Sequence, residues 1–270
     1  PWPARDFLPM HSYIDLPGGI PEPSLQVIAT RGCPFKCIFC SWPQIMYGSN
    51  RYRTRSPENV VDEIEYCVKK YGFKSFYFDD DTFNVGKGRV LEVAREIRER
   101  GLNLPWAIMA RGDLMDREIL ETLKDAGLFS LKYGIESGSQ DLLDRACKDL
   151  DLEKVREAVK ITSELGIKCH LTFMLGLPGE TLETAHQTIE LAKDLNPHTL
   201  QFSIATPLPG SRFYEMAKDD GHIESYDFDD YDGYHSAVIG TDELDSEDIM
   251  DLMDEAERAW AEHCRQREQP

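Results

Sequence analysis

The 270-residue chain has no apolar run approaching the about 18 residues that a bilayer-spanning helix needs, so no membrane span is expected. Its opening, PWPARDFLPM, shows no basic stretch followed by an apolar one, and no secretory signal is expected either. Positive charge is scarce. Lys and Arg number 30 against 49 Asp and Glu, a net charge of −19, which argues against a nucleic-acid-binding surface. There is no internal repeat beyond a strand–helix alternation, no low-complexity linker and no histidine pair at metal-ligand spacing on a helix. A starting Met is lacking too, so the chain reads as part of something longer. Its seven cysteines are an odd number and are not spread like a secreted disulfide framework; reduced thiols in a cytoplasmic protein are expected.

What is present suits a globular fold, with 41% hydrophobic residues to fill a core. Strand-like runs at Leu25–Thr30, Ser75–Asp81, Trp106–Ala110, Leu131–Ser137, Lys168–Leu175 and Thr199–Ala205 alternate with amphipathic segments of helical period. The first such segment has Ser56 as N-cap, Pro57 at its first position and Val60, Ile64 and Val68 four residues apart. Six βα units predict an α/β fold with parallel strands, either an open doubly wound sheet or an incomplete barrel. Both place function at the carboxyl ends of the strands. Residues 1–24 read as a lead-in, 25–210 as the core, and 211–270 as an acidic, aromatic loop and a terminal helix packed on the core. That helix is capped by Asp245 or Ser246 and aligns Ile249, Leu252, Met253, Ala256 and Trp260 on one face.

Just after the first strand, RGCPFKCIFCSWPQ gathers Cys33, Cys37 and Cys40. A structural zinc site takes four ligands, usually as two pairs, and here a partner is missing nearby. A fourth ligand would have to come from Cys67, Cys147, Cys169 or Cys264, far along the chain. A cubane iron–sulfur cluster held by three cysteines fits the count and leaves one iron open to another ligand.

CxxxCxxC in this loop, with Phe39 directly before the last cysteine, resembles the radical S-adenosylmethionine (SAM) superfamily. The resemblance implies a partial (β/α)6 TIM-like barrel with a C-terminal helical extension. It also implies a 4Fe–4S cluster on Cys33, Cys37 and Cys40, whose open iron takes the amino and carboxylate groups of SAM. One electron then cleaves SAM to methionine and a 5′-deoxyadenosyl radical, which abstracts hydrogen from a substrate. Within this resemblance the second strand end, YFDDDTF, offers Asp80 and Asp81 to the SAM ammonium. Arg111, after the third strand, faces the SAM carboxylate or neutralises Asp80, Asp81 or Glu136, with Lys148 a weaker candidate for the same anion. Glu136 and Ser137, after the fourth, take the ribose or carboxylate, while Ser139 caps the next helix. Met174, Leu175 and Gly176 after the fifth strand and Ala205 after the sixth line the adenine. His170 reads as a core histidine.

The set PARDFLPM, FDDDTF, KYGIESGS, FMLGLPGET and FSIATPLPGSRFY is similar to the cobalamin-dependent group of the superfamily, which includes an anaerobic porphyrin-ester cyclase and C-methyltransferases. In that group a cobalamin-binding domain lies upstream; its Asp-x-His-x-x-Gly signature is absent from this chain. The expected partners are a small-molecule substrate and an external electron donor of flavodoxin or ferredoxin type. The basic run RYRTR, Arg51 to Arg55, is either a loop that balances nearby acids or a recognition element for a phosphate or carboxylate. The alternative for the whole chain is an iron–sulfur or zinc module that binds or carries electrons without SAM chemistry.

Overall fold

The computed structural model describes residues 2–267. Six strands form one parallel sheet in the order β1 (Ser24–Val27), β4 (Ser75–Phe78), β5 (Trp106–Ala110), β6 (Leu128–Glu136), β7 (Lys168–Leu175) and β8 (Thr199–Ile204). Each strand lies beside the previous one of the series, the order that helical crossovers between parallel strands generate. The short strands β2 (Thr30–Arg31) and β3 (Arg53–Thr54) make a separate antiparallel ribbon. The helices are α1 (Pro57–Tyr71), α2 (Lys87–Glu99), α3 (Arg117–Asp125), α4 (Gln140–Arg145), α5 (Leu152–Glu164), α6 (Leu182–Leu195), α7 (Arg212–Asp219) and α8 (Ser246–Arg267).

The chain divides into two compact units. The first comprises Pro1–Arg31, Tyr52–Tyr133 and Glu157–His170. Its helix α1 starts as the sequence predicts, with the Ser56 side chain accepting from the Asn59 amide, and stops at Gly72, whose φ of 74° suits a residue without Cβ. Val60, Val61 and Ile64 of α1 and Val90, Val93 and Ile97 of α2 are fully buried. Phe76, Phe78 and Trp106 form an aromatic core, Phe76 and Trp106 stacked nearly parallel with ring centres 5.9 Å apart. The buried Trp106 indole is satisfied by the Ala126 carbonyl at 2.8 Å. The lead-in residues are tied onto this unit. Ser130 donates to the Pro17 carbonyl at 2.8 Å, the Lys74 amide donates to the Pro23 carbonyl at 2.8 Å, and Arg5 pairs with the buried Glu63.

The second unit comprises Gly32–Arg51, Gly134–Arg156 and Leu171–Pro270. Its apolar cluster joins Ile38, Ala146, Leu177, Ala205, Phe213, Ala217, Ile223 and Ile239, with Phe39 and Met174 packed against it. Helix α6 begins with a capping box between Thr181 and Thr184 and ends at Asn196 in the left-handed region. On α8, Asp245 caps by accepting from the Asp248 amide at 2.9 Å, and Ile249, Leu252, Met253 and Ala256 are buried as expected.

Three elements differ from the sequence expectation. The first strand ends at Val27, and Thr30 joins the ribbon instead. Strand β6 begins three residues earlier than expected, at Leu128. Between Gly210 and the terminal helix, where a loop was expected to begin, α7 forms first, with the Ser211 side chain accepting from the Tyr214 amide.

Candidate functional site

In the second unit, Cys33, Cys37 and Cys40 are half-buried, and none forms a disulfide. The main chain around them is fixed by two amide side chains. Gln44 donates to the carbonyls of Cys37 (3.1 Å), Ile38 (2.9 Å) and Cys40 (2.7 Å), and its own oxygen accepts from the Arg212 amide at 2.7 Å. Asn50 donates to the carbonyls of Cys33, at 3.5 Å, and Phe35. The Ile38 amide donates to the Ala146 carbonyl at 2.9 Å, and the Ile38 carbonyl accepts from Phe213 at 3.1 Å. Burial pushes the Cys40 thiol up to about 11, the neighbouring Cys37 and Cys33 add to this, and the Trp42 amide and Lys148 oppose it. Among the described residues, no three His, Cys, Asp or Glu side chains are drawn close enough together to grip a metal ion. The donor set nevertheless fits an iron–sulfur cluster: three thiols, soft ligands, on one loop whose backbone is already held.

Beside this loop, Glu136 and Lys148 form a buried ion pair at 2.5 Å, their side chains 11% and 8% exposed. The Lys148 ammonium also lies 5.9 Å from the centre of the Phe39 ring. The backbone is bent to make this pair. Glu136 has φ 76°, and Cys147 and Asp149, flanking Lys148, have φ 51° and 49°, values that residues with a Cβ rarely adopt. Gly134 completes it, because a Cβ there would lie 2.5 Å from the Glu136 carboxylate and 3.2 Å from the ammonium. Lys148, expected as a weak anion ligand, is the partner of Glu136.

Ser137 is fully buried and turned inward. Its hydroxyl lies 3.3 Å from the Thr188 hydroxyl and accepts from the Ser139 amide at 3.1 Å. Ser139 accepts from the Leu142 amide and caps α4, as the sequence predicts. Met174 is half-buried in the cluster that also holds Phe39 and Ala205. The Leu175 carbonyl accepts from the Ala205 amide at 2.7 Å. Gly176 follows in the left-handed region, at φ 86°, and its amide donates to the Glu180 carboxylate. Glu180 is 1% exposed, and its other oxygen has no hydrogen-bond partner. Burial pushes its carboxyl up to about 7 against the Gly176 and Leu177 amides.

In the first unit, Asp80 has the same kind of environment. One oxygen accepts from the amides of Ala29 (2.7 Å) and Thr30 (2.9 Å), and burial raises the carboxyl to about 6. Asp80 was expected to face a ligand; it is instead 1% exposed and fastens the chain after β1. Asp81 is half-buried. Arg111 was expected to meet an anion or one of Asp80, Asp81 and Glu136. It pairs with Asp113 at 2.9 Å, and its backbone is gripped by Asn84 at 2.9 and 2.8 Å. Burial and the charge of Lys132 push His170 down to about 4, a neutral core histidine at ordinary pH.

Sequence reasoning passed over Gln44, Asn50 and the pinning role of Glu180. A lone amide in a loop carries no pattern. The glutamate of GLPGET, one residue after a turn glycine, is a readable signal for a carboxylate that closes its own turn.

A family profile described as the radical SAM superfamily matches residues 27–192. An uncharacterised methyltransferase of Pyrococcus horikoshii is 35% identical over 219 residues, covering 80% of this chain and 46% of the relative. An anaerobic magnesium-protoporphyrin IX monomethyl ester cyclase of Rubrivivax gelatinosus is 29% identical over 252 residues, covering 93% and 42%. The chain thus spans less than half the length of these relatives. Among solved structures, the radical SAM methyltransferase TsrM of Kitasatospora setae, determined with cobalamin and a 4Fe–4S cluster bound, shares the fold. Its TM-score is 0.66 at 22% identity, over 75% of this chain and 41% of that one. Members of the matched family use a 4Fe–4S cluster and SAM. With more than half its length matched by the profile, the chain belongs to the radical SAM superfamily.

Proposed function

We propose that this chain is the catalytic module of a radical SAM enzyme that binds a 4Fe–4S cluster through Cys33, Cys37 and Cys40 and serves methylation or cyclisation of a small organic substrate. The observation that carries this reading is the loop 32–51, where three reduced thiols sit on a backbone clamped by Gln44 and Asn50 in a chain of this family. A bound cluster would supply one electron to SAM, giving methionine and a 5′-deoxyadenosyl radical that takes hydrogen from the substrate.

The remaining roles belong to the chain. Each thiol must give up its proton on binding iron, and Cys40, raised by burial, holds its proton until metal takes its place. Lys148 keeps a positive charge beside Phe39 and the loop, and Glu136 orients it. Phe39, Met174, Leu175, Gly176 and Ala205 offer apolar surface and close backbone approach for the nucleoside. Ser137 sits behind Glu136 and fixes the turn after β6. Asp81 and Arg111 remain candidates for the methionine end of SAM, Arg111 only if its pairing with Asp113 opens; Asp80 acts from behind by holding the chain that leads into the loop. The electron comes from an external flavodoxin- or ferredoxin-type donor in the cytoplasm, and cobalamin, where the reaction uses it, from a domain outside this chain. Both relatives support an organic substrate, one by its methyltransferase name and the other by its cyclase name.

The test is anaerobic incubation of reconstituted protein with dithionite and SAM. Methionine and 5′-deoxyadenosine should form with the wild type and fall to background with Cys37→Ala. A fully iron-loaded wild type that leaves SAM intact would reduce the chain to a binding or electron-carrying module.

A further inference from the structure

Between Glu22 and Glu58 the sequence carries five of the chain's 30 basic residues and none of its 49 acids, the longest acid-free stretch it has. The part of that stretch in the second unit is the cysteine loop and its continuation, residues 32–51. After Cys40 the chain turns into a π-helix, Trp42–Met46, closed by the Tyr47 amide on the Trp42 carbonyl at 3.0 Å. Such wide turns are rare and are frequent at functional sites. Pro43 is buried and Gln44 reaches back to the loop carbonyls, which leaves Trp42, Ile45 and Met46 outward, 48%, 43% and 62% exposed.

None of the roles above uses this apolar surface, and two cations are tied to it. Gln44, inside the π-helix, holds the Cys37 carbonyl at 3.1 Å, next in sequence to Lys36. Asn50 donates to the Phe35 carbonyl, which brings Arg51 to the same end of the loop as Lys36. Both cations are exposed, no acid within the loop offsets them, and neither forms an ion pair among the described residues. The Trp42 amide is hydrogen-bonded to the Cys40 thiol, so the exposed indole belongs to a residue one hydrogen bond from a cluster ligand. An apolar centre with a polar rim is the anatomy of a protein interface. An acidic partner is repelled by the chain's net charge of −19 and drawn to this acid-free loop, which selects one orientation.

We propose that Trp42, Ile45 and Met46, with Lys36 and Arg51, form the docking face for a small acidic protein that carries one electron to the cluster. This rests on Cys33, Cys37 and Cys40 being the cluster ligands. One electron leaves the carrier, which is oxidised, and enters the cluster, which is reduced; no bond forms or breaks. Electron transfer falls off steeply with distance, and this surface follows Cys40 directly. Electron-transfer encounters are small, so three apolar side chains and two cations suffice. The RYRTR run is thereby divided: Arg55 closes on the buried Glu63 at 2.6 Å in the first unit, and Arg51 recognises a partner.

The test is titration of the reconstituted chain with oxidised flavodoxin, and stopped-flow reduction of its cluster by flavodoxin hydroquinone, for the wild type, Lys36→Gln/Arg51→Gln, Met46→Glu and Met46→Lys. The double variant and Met46→Glu should weaken binding and slow reduction by at least about tenfold, and Met46→Lys should do neither. Raised salt should weaken binding to the wild type. Position 46 is exposed enough to carry either charge, so its two variants fold alike and differ in what they present. Excess dithionite should reduce as much cluster in every variant as in the wild type, which separates lost docking from a lost cluster. A wild-type cluster that dithionite cannot reduce would strike the cluster reading, and the titration would still decide the docking face. Undiminished binding by the double variant, equal losses from Met46→Glu and Met46→Lys, or no flavodoxin binding by the wild type at low salt would overturn the proposal. The second of these would give the face to an apolar partner instead.

Discussion

Asp80 and Glu136 are both carboxylates at the end of a strand, both almost wholly buried, and they are neutralised in opposite ways. Asp80, in the first unit, takes two backbone amides, and burial outweighs them, so its carboxyl rises to about 6. Glu136, in the second, faces the Lys148 ammonium at 2.5 Å, and three residues in left-handed conformations set up the contact. Glu180 repeats the Asp80 solution after β7. A carboxylate held by amides is serving the main chain, whereas one held by a cation across strained backbone has been aimed. The difference teaches that an acid after a strand is a ligand candidate only once its claims on the local backbone are met.

Substitutions at three positions test this distinction, in descending order of effect. Lys148→Met leaves the Glu136 charge buried without its partner and should cost about 3 kcal/mol in urea unfolding, the scale of a broken buried ion pair. A cost no larger than that of an exposed pair would mean that the strained turn contributes nothing. Asp80→Ala strips two amides of their acceptor and should cost about 2 kcal/mol, whereas Asp80→Asn keeps an acceptor oxygen and should cost less than about 1 kcal/mol. Equal costs would show that the charge, not the acceptor, is what Asp80 supplies.

Glu180→Gln gives the most specific change. The folded carboxyl, at about 7, lies above its ordinary 4.5, so the folded state holds the proton more tightly than the unfolded chain. Its contribution is therefore fully present below 4.5 and is lost as pH rises to about 7. Over that window the stability difference should move toward the variant by on the order of 2 kcal/mol, measured by unfolding at several pH values. A gap between wild type and variant that does not change with pH would remove the buried, titrating glutamate from the account.

The sequence carries much of the architecture because strong local signals coincide with tertiary ones. Ser56 and Pro57 open α1 where the apolar period begins, and Lys168–Leu175 is a strand from end to end as its β-rich run suggests. The β2–β3 ribbon was not legible, since two-residue strands have no alternation and its partners, Thr30 and Thr54, are far apart in the chain. Helix α4 is six residues long, too short for a period to show. In the site, the cysteine spacing speaks for itself. The choice of Lys148 as partner to Glu136 does not, because it depends on left-handed backbone at Cys147, a residue that disfavours it, and at Asp149. The pairing of Arg111 with Asp113, two residues on, is not legible either, because no local pattern marks it.

The measurement that tests the central claim most directly is anaerobic iron and sulfide quantification combined with EPR of the dithionite-reduced protein, with and without SAM, for wild type and Cys37→Ala. The three-thiol loop predicts a reduced-cluster signal in the wild type that shifts when SAM is added and is missing in the variant. Stoichiometric zinc in place of iron, or a cluster signal indifferent to SAM, would contradict it.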